Sequence, residues 1–384
     1  MNRDRLLQSF LRYVRVDTTA GEPGGAYPSS PGQLELGAML RDELAALGAA
    51  DVAQDEHGLV YATIPATVDR PTPVVALNSH VDTSPETTGK NVQPQVIASY
   101  AGGDIALAGD PSQVIRVSEN PELNDLLGAT LVTTDGTTLL GGDDKGGVSV
   151  IMELAAHLLE HPEIPHGPIR ILFTCDEEIG HGVDHVELEK LGADVCYTLD
   201  GAGANDIDTE TFSADLAVVT VRGVNIHPSI AKGRMVNALR AAGAFLARLP
   251  ADTLAPEVAD GREGFIHPCF VDGMVAHAEI QLILRDFETE QLARQAALLR
   301  DVAAGVMRDV PGCRIDVAIK KQYRNMREGL LREPRAVDYA VRAHQRLGRE
   351  PRLTIVRGGT DGSQLTERGL PTPNLSCGQH NPHS

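Results

Sequence analysis

Short apolar runs alternate with stretches whose apolar positions recur every three or four residues through the first half of the chain. Leu6, Leu7, Phe10, Leu11 and Val14 predict an opening helix. Residues 33 to 47, QLELGAMLRDELAAL, carry the same spacing and stop at Gly48, the residue type that most readily takes the left-handed turn closing a helix. LVYATI (59–64), VVALNS (74–79) and IRILFT (169–174) read as strands, and GVSVIMELAAHLLEHP as a helix ended by Pro162. Strands separated by helices of this length predict an α/β sheet with helices on both faces. Residues 84 to 128, rich in Gly, Pro and Asn, predict a long excursion of weak or hairpin structure.

The pattern changes after Asp200. Residues 213 to 221 alternate as a strand, MVNALRAAGAFLARL (235–249) is helical, HAEIQLILRDF a strand, QLARQAALLRDVAAGVM a helix and RIDVAIKKQY a strand. That run is self-contained and predicts a small α+β layer. A helix near 335–347, the strand LTIV and a helix near 361–368 then resume the earlier character. The order fits a larger α/β domain, residues 1–210 and 325–384, interrupted by a smaller one at 211–324.

A length of 384 residues suits two domains. Lys and Arg number 34 against 53 Asp and Glu, a formal charge of −19 that repels nucleic acid and anionic membranes, so neither is expected as a partner. Cysteines 175, 196, 269, 313 and 377 are odd in number and show no close pairing, which points to a reducing compartment. The first residues lack the apolar core and cleavage site of a signal peptide, and no apolar run reaches the roughly 18 residues of a membrane span. A cytoplasmic protein is expected.

Candidate chemistry sits where apolar runs end. VVALNS leads into His80, Val81 and Asp82; at period two His80 and Asp82 share a side, and a metal-binding histidine needs a carboxylate to fix its ring. A lone H-x-D more often just turns the chain. In LLGGDDKGG, Asp143 and Asp144 open a helix, as a cap would, but flanking glycines permit a carboxylate to be presented into a cleft. FTCDEEIGHG empties a strand into Asp176, Glu177 and Glu178, which repel one another unless a cation or solvent compensates. CYTLDGAGA places Asp200 after a strand, and LSCGQHNPHS brings His380 and His383. Each signal alone is weak. Together they form a His/carboxylate set suited to a pair of zinc ions.

NSHVDTSP, LLGGDDKGG, FTCDEEIG, YTLDG, NIHPSIAKGRMVNA, LRDFE, KKQYRNM, RGGTDGSQL and GLPTPNL, in this order, resemble peptidase T, the tripeptide-aminopeptidase branch of the co-catalytic zinc peptidase family. The resemblance covers nearly the whole chain. It implies a zinc-peptidase domain with a mixed sheet flanked by helices, and an inserted α+β lid. It implies two Zn2+ per chain and small peptides as substrates, with a homodimer left open. Position by position, it makes His80 and Asp200 ligands of the first zinc, Asp143 the bridge, and Glu178 and His383 ligands of the second. Asp82 becomes the aspartate behind His80 and Glu177 the general base. His227 is expected to stabilise the oxyanion, and Arg285, Arg357 and Asn237 to contact substrate; an ion pair with Asp286 is the competing expectation for Arg285. His57, His157, His161, His166 and His344 read as surface or helix-face residues. Members of the family run about a helix past the last histidine, whereas this sequence stops at Ser384, so His383 is expected to depend on its metal for order. The alternatives are a zinc hydrolase of the same family acting on dipeptides or N-acyl amino acids, and a catalytically silent metal-binding protein.

Overall fold

The computed structural model describes residues 1–21 and 24–383. It divides into two compact units, Met1–Thr209 with Gly329–Thr354 and Thr360–Ser384, and Glu210–Glu328 with Ile355–Gly359. The first unit begins with α1 (Arg3–Tyr13), capped by the Asn2 side chain accepting from the Asp4 and Arg5 N–H groups, and α2 (Pro31–Leu47), closed by Gly48 at φ 88°. Strands β1 (Ala50–Gln54), β2 (Val60–Ile64) and β3 (Val75–His80) follow. The excursion holds β4 (Gln95–Ile97), β5 (Ile105–Ala106), β6 (Val114–Ile115) and β7 (Leu131–Thr133), paired β4 with β7 and β5 with β6. Its own small core is Tyr100, Ile105, Leu107 and Leu123. Then come α3 (Gly142–Glu160), β8 (Ile169–Thr174), the one-turn α4 (Leu188–Leu191), β9 (Val195–Ala202) and β10 (Asp206–Thr211).

The second unit contains β11 (Ser213–Arg222), α5 (Ala238–Leu246), β12 (Phe265–Gly273), β13 (His277–Asp286), α6 (Thr289–Asp309) and β14 (Arg314–Tyr323). Its antiparallel sheet runs β12-β13-β11-β14. Phe245, Leu292, Leu299 and Val306 of α5 and α6 pack with Val219, Ile280 and Leu282 of the sheet. The strand β12 has no counterpart in the sequence pattern. Pro268 argues against a strand, but β12 lies at the sheet's edge and a register shift between Pro268 and Phe270 absorbs the missing N–H.

The chain closes with α7 (Arg327–Arg332), α8 (Arg335–Arg346), β15 (Arg352–Val356), α9 (Asp361–Glu367) and β16 (Asn374–Gln379). The larger sheet has the order β1-β2-β8-β3-β9-β16-β10-β15. Its central strands β8, β3, β9 and β16 are mutually parallel, while β2 is antiparallel to β8 and β10 to β16. They are apolar over their inner stretches and turn polar towards their carboxyl ends: Ile171, Leu172 and Phe173 are fully buried, as are Val148, Ile151 and Ala155 on α3. Parallel pairing has a functional consequence. The carboxyl ends of four strands emerge on one edge of the sheet, where ligands of open α/β sheets bind.

Candidate metal centre

His80 ends β3 and is 1% exposed. Its Nδ1 faces the Asp82 carbonyl at 3.1 Å and Asp82 Oδ1 at 3.3 Å; with two acceptors there, Nδ1 carries the proton, and Nε2 is the nitrogen available to a cation. Nε2 lies 3.0 Å from Asp143 Oδ1 and 3.9 Å from Asp200 Oδ1. Burial would lower the His80 pKa, but the acceptors Asp143 and Asp82 overcome it and hold the imidazole well above its ordinary range. Asp82, also fully buried, has a second task. Its Oδ1 accepts from Glu177 N at 3.1 Å and its Oδ2 from Glu178 N at 3.0 Å, tying the end of β3 to the segment that leaves β8.

The adjacent acids divide their work. Asp143 and Asp144 open α3 after Gly141 at φ 78°, with a cis peptide between them. Asp143 faces the imidazoles. Burial would raise its pKa, but the bond from His80 prevails and lowers it. Asp144 turns into the fold, accepting from Ser79 Oγ, from His80 N at 3.3 Å and from Gly147 N at 3.1 Å, and burial pushes its carboxyl well up. Lys145 is buried with its Nζ on the Val16 carbonyl at 2.9 Å, and burial lowers it to about 7.

The run 176–178 is divided in the same way. Asp176, at φ 62° and 1% exposed, accepts from Ser29 N at 2.7 Å, Ser29 Oγ and Gln33 Nε2 at 2.6 Å. Glu177 and Glu178 follow on a 3-10 turn. Burial, then Asp361, Glu178 and Asp82 against the pull of His80, push the Glu177 pKa well up. Glu178 is raised by burial, with His383 opposing. Asp200 is raised by burial and by Asp143 and Asp144. His383 Nε2 sits 2.9 Å from Glu178 Oε2 and 3.7 Å from Asp143 Oδ2, and its Nδ1 3.1 Å from Glu86 Oε2. The bond to Glu178 raises its pKa to about 9.

The donor chemistry fits divalent cations. His80, Asp144 and Asp200 form one group, and His80, Asp143 and Glu178 another, each with donor atoms within 4.8 Å of one another. Several acids are forced towards protonation by crowding, and Glu178 Oε1 is buried without a hydrogen-bond partner, both of which a cation would relieve. A cavity of about 550 Å³ lined by Arg70, Val75, Tyr197, Tyr339 and Arg346 lies instead where β3 begins, at the strand's other end from His80.

The first unit thus brings together His80, Asp82, Asp143, Glu177, Glu178, Asp200 and His383; both tail histidines are exposed, and it is His383 whose ring reaches Glu178. In the second unit, His227 is exposed and its Nδ1 accepts from Ser229 N at 3.3 Å, so Nε2 carries the hydrogen of the neutral ring. Asn237 caps α5, its side chain accepting from Leu239 and Arg240, a role its position before the helix could have announced. Arg285 donates to the Leu284 carbonyl at 3.1 Å and Gln322 Oε1 at 2.9 Å rather than pairing with Asp286. Arg357 lies over Phe212 and donates to the carbonyls of Gly261 and Ala259. The sequence marks Asp144 and Asp176 only as members of acidic runs and gives no sign of Gln379, whose amide meets Asp200 in the fold.

A mixed sheet with imidazole and carboxylate donors gathered at its parallel strand ends fits the class of metal-dependent peptidases. Residues 209–309 match the family model described as a peptidase dimerisation domain. Peptidase T of Geobacillus thermodenitrificans is 44% identical over 381 residues, 99% of this chain and 92% of the relative, and that of Bacillus subtilis 42% over 99% and 93%. The chain belongs to the peptidase T family. Among solved structures, a tripeptidase from Staphylococcus aureus matches with TM-score 0.77 and the aminopeptidase PepT from Bacillus cereus with 0.73, each at 24% identity over the whole chain and 92% of theirs. A dinuclear metal-binding peptidase of the M20 family from Bacillus subtilis shares the fold at TM-score 0.61 and 14% identity, over 99% of this chain and 91% of that one.

Proposed function

We propose that this protein is a metallo-aminopeptidase that releases the N-terminal residue of tripeptides, using two zinc ions per chain. The reading rests most on Asp143. One of its oxygens lies 3.0 Å from His80 Nε2 and the other 3.7 Å from His383 Nε2, as suits a carboxylate shared between two cations. His80 and Asp200 would hold the first ion, Glu178 and His383 the second, with Asp143 between them. When bound, the pair supplies Lewis acidity, activating water and polarising the scissile carbonyl.

The chain's own groups do the rest. Glu177, whose proton affinity is raised by burial and neighbouring acids, takes a proton from the attacking water and returns it to the leaving amine. Asp82 holds the His80 ring and the Glu177 main chain in register, so ligand and base are positioned by one carboxylate. His227 Nε2–H donates to the developing oxyanion. Arg285, Arg357 and Asn237 bind the peptide through its carboxylate and amides. In this reading the first unit is the catalytic domain and the second a lid. The dimerisation-domain match supports a homodimer. The five free cysteines fit a cytoplasmic location, and no helix of the described residues is long and apolar enough to cross a membrane.

The test is turnover of tripeptides, dipeptides and N-acyl amino acids by zinc-loaded protein, with metal content measured in parallel. Tripeptides with a free amino terminus should be preferred. A preference for N-blocked substrates would sink the aminopeptidase assignment.

A further inference from the structure

Asp200 stands where the pairing of two strands is irregular. The parallel register of β9 and β16 joins Thr198 to Asn374, Gly201 to Ser376 and Ala202 to Gln379, with shifts between each pair. Side chains fill the gap that the broken ladder leaves. Asn374 Oδ1 accepts from Asp200 N at 3.0 Å. The Gln379 amide donates to the Asp200 carbonyl at 2.8 Å and to Asp200 Oδ1 at 3.0 Å. Both partners are acceptors, which identifies the NH2 as the group facing Asp200. The other end of the amide, Oε1, is buried without a partner, so nothing but Asp200 orients this side chain through its polar atoms.

We propose that Gln379 is a positioning residue for the metal site, holding the Asp200 carboxylate at the rotamer in which it meets a cation beside His80. Asp200 needs such a hold. Asp144 and Asp143 crowd the same cluster, and like charges beside it would push an unrestrained carboxylate away. A neutral donor is suited to the task. A lysine or arginine there would pair with Asp200 and repel the cation, whereas an amide fixes one oxygen and adds no charge. The main-chain bond matters equally, because it anchors the backbone of the same residue whose side chain is being aimed.

The inference rests on the reading of Asp200 as a metal ligand, and the experiment separates the two. Zinc affinity is measured by competition with a chelator on the full chain for the wild type, Asp200→Asn, Gln379→Ala and Gln379→Met. Thermal unfolding checks that each variant folds. Asp200→Asn should lose one of two bound zinc ions; retention of both overturns the ligand assignment itself. Gln379→Ala and Gln379→Met should weaken that same ion by about 10- to 100-fold and leave the other unchanged, the usual consequence of removing a donor behind a ligand. If Asp200→Asn loses its zinc while both Gln379 variants bind two ions with wild-type affinity, the positioning role is wrong and the ligand assignment stands. Equal weakening of both ions in the Gln379 variants would also overturn it, as the mark of a general structural defect.

Discussion

Replacing Asp176 with alanine asks whether the acids 176–178 form one ligand cluster or a scaffold residue followed by two site residues. Asp176 is 1% exposed, and its carboxylate accepts from Ser29 N, Ser29 Oγ and Gln33 Nε2. Its own N–H goes to Gln33 Oε1 at 3.0 Å, a bond that alanine keeps. The substitution therefore removes an acceptor from three donors; the fully buried Gln33 amide keeps only its longer contacts to Ser29 Oγ at 3.3 Å and Ser30 Oγ at 3.2 Å. An unsatisfied buried donor costs about 1–3 kcal/mol. Ser29 is only half-buried and water will reach part of the gap, so the expected loss is about 3–5 kcal/mol. The left-handed φ of 62°, which Asp tolerates and Ala resists, adds about 1 kcal/mol. Urea unfolding followed by circular dichroism measures the loss in the first unit. Asp176→Asn, which keeps one acceptor oxygen and the backbone preference, should lose about half as much and still bind two zinc ions. A loss below about 1 kcal/mol for the alanine variant would refute the scaffold role, as would departure of a zinc ion from folded Asp176→Asn.

Three further outcomes are expected. Glu177→Gln should retain its metals while kcat falls by about 10²–10⁴; near-normal turnover in a zinc-loaded sample would remove Glu177 as the base. The raised pKa of His383, about 9 against an ordinary 6.5, means that its proton stabilises the fold fully below pH 6.5 and that this contribution fades as pH rises through 9. Zinc would compete with that proton, so the affinity for the ion proposed at Glu178 and His383 should climb between those values and then level; a chelator titration flat across that range would contradict it. Gly182→Ala would place a Cβ 1.9 Å from Asp361 Oδ1, both positions being buried, and should cost about 1–3 kcal/mol by overpacking, read as a lower unfolding midpoint. An unchanged midpoint would mean that the loop after Glu178 adjusts freely.

The larger sheet was legible because its central strands are buried on both faces. In IRILFT only Arg170, near the start of the strand, interrupts the apolar residues, and each apolar run stops where the chemistry starts. Legibility failed at the margins. β12 exposes Cys269, Phe270 and Val271 and contains Pro268, so neither alternation nor propensity marks it; it is a strand because β13 offers it an edge. The return of Ile355–Gly359 to the second unit is likewise a tertiary fact, since LTIV reads as one strand and carries no sign that its end belongs elsewhere. The inserted unit's helix α5 begins at Ala238 because Asn237 caps it, later than apolar spacing from residue 235 implies.

At the candidate site, the residue types were legible and the division of labour was not. Charge runs normally mark solvated loops, and both runs here break that expectation in the same way. In each, one acid is turned inward to accept bonds from neighbouring groups: Asp144 from Ser79, His80 and Gly147, and Asp176 from Ser29 and Gln33. Asp143 and Glu178 are then left to face the His80 and His383 rings. Side chains of neighbouring residues at a strand exit or helix start point in different directions, so a pair of acids can serve the scaffold and the site at once. Asp82 combines both tasks in one side chain, because its two oxygens reach His80 on one strand end and the Glu177 and Glu178 amides beyond another. The clustering of like charge that a sequence shows as repulsion is, in the folded chain, partly spent on main-chain donors. The remainder, the acids gathered about His80 and His383, is the part of the cluster whose crowding a cation would relieve.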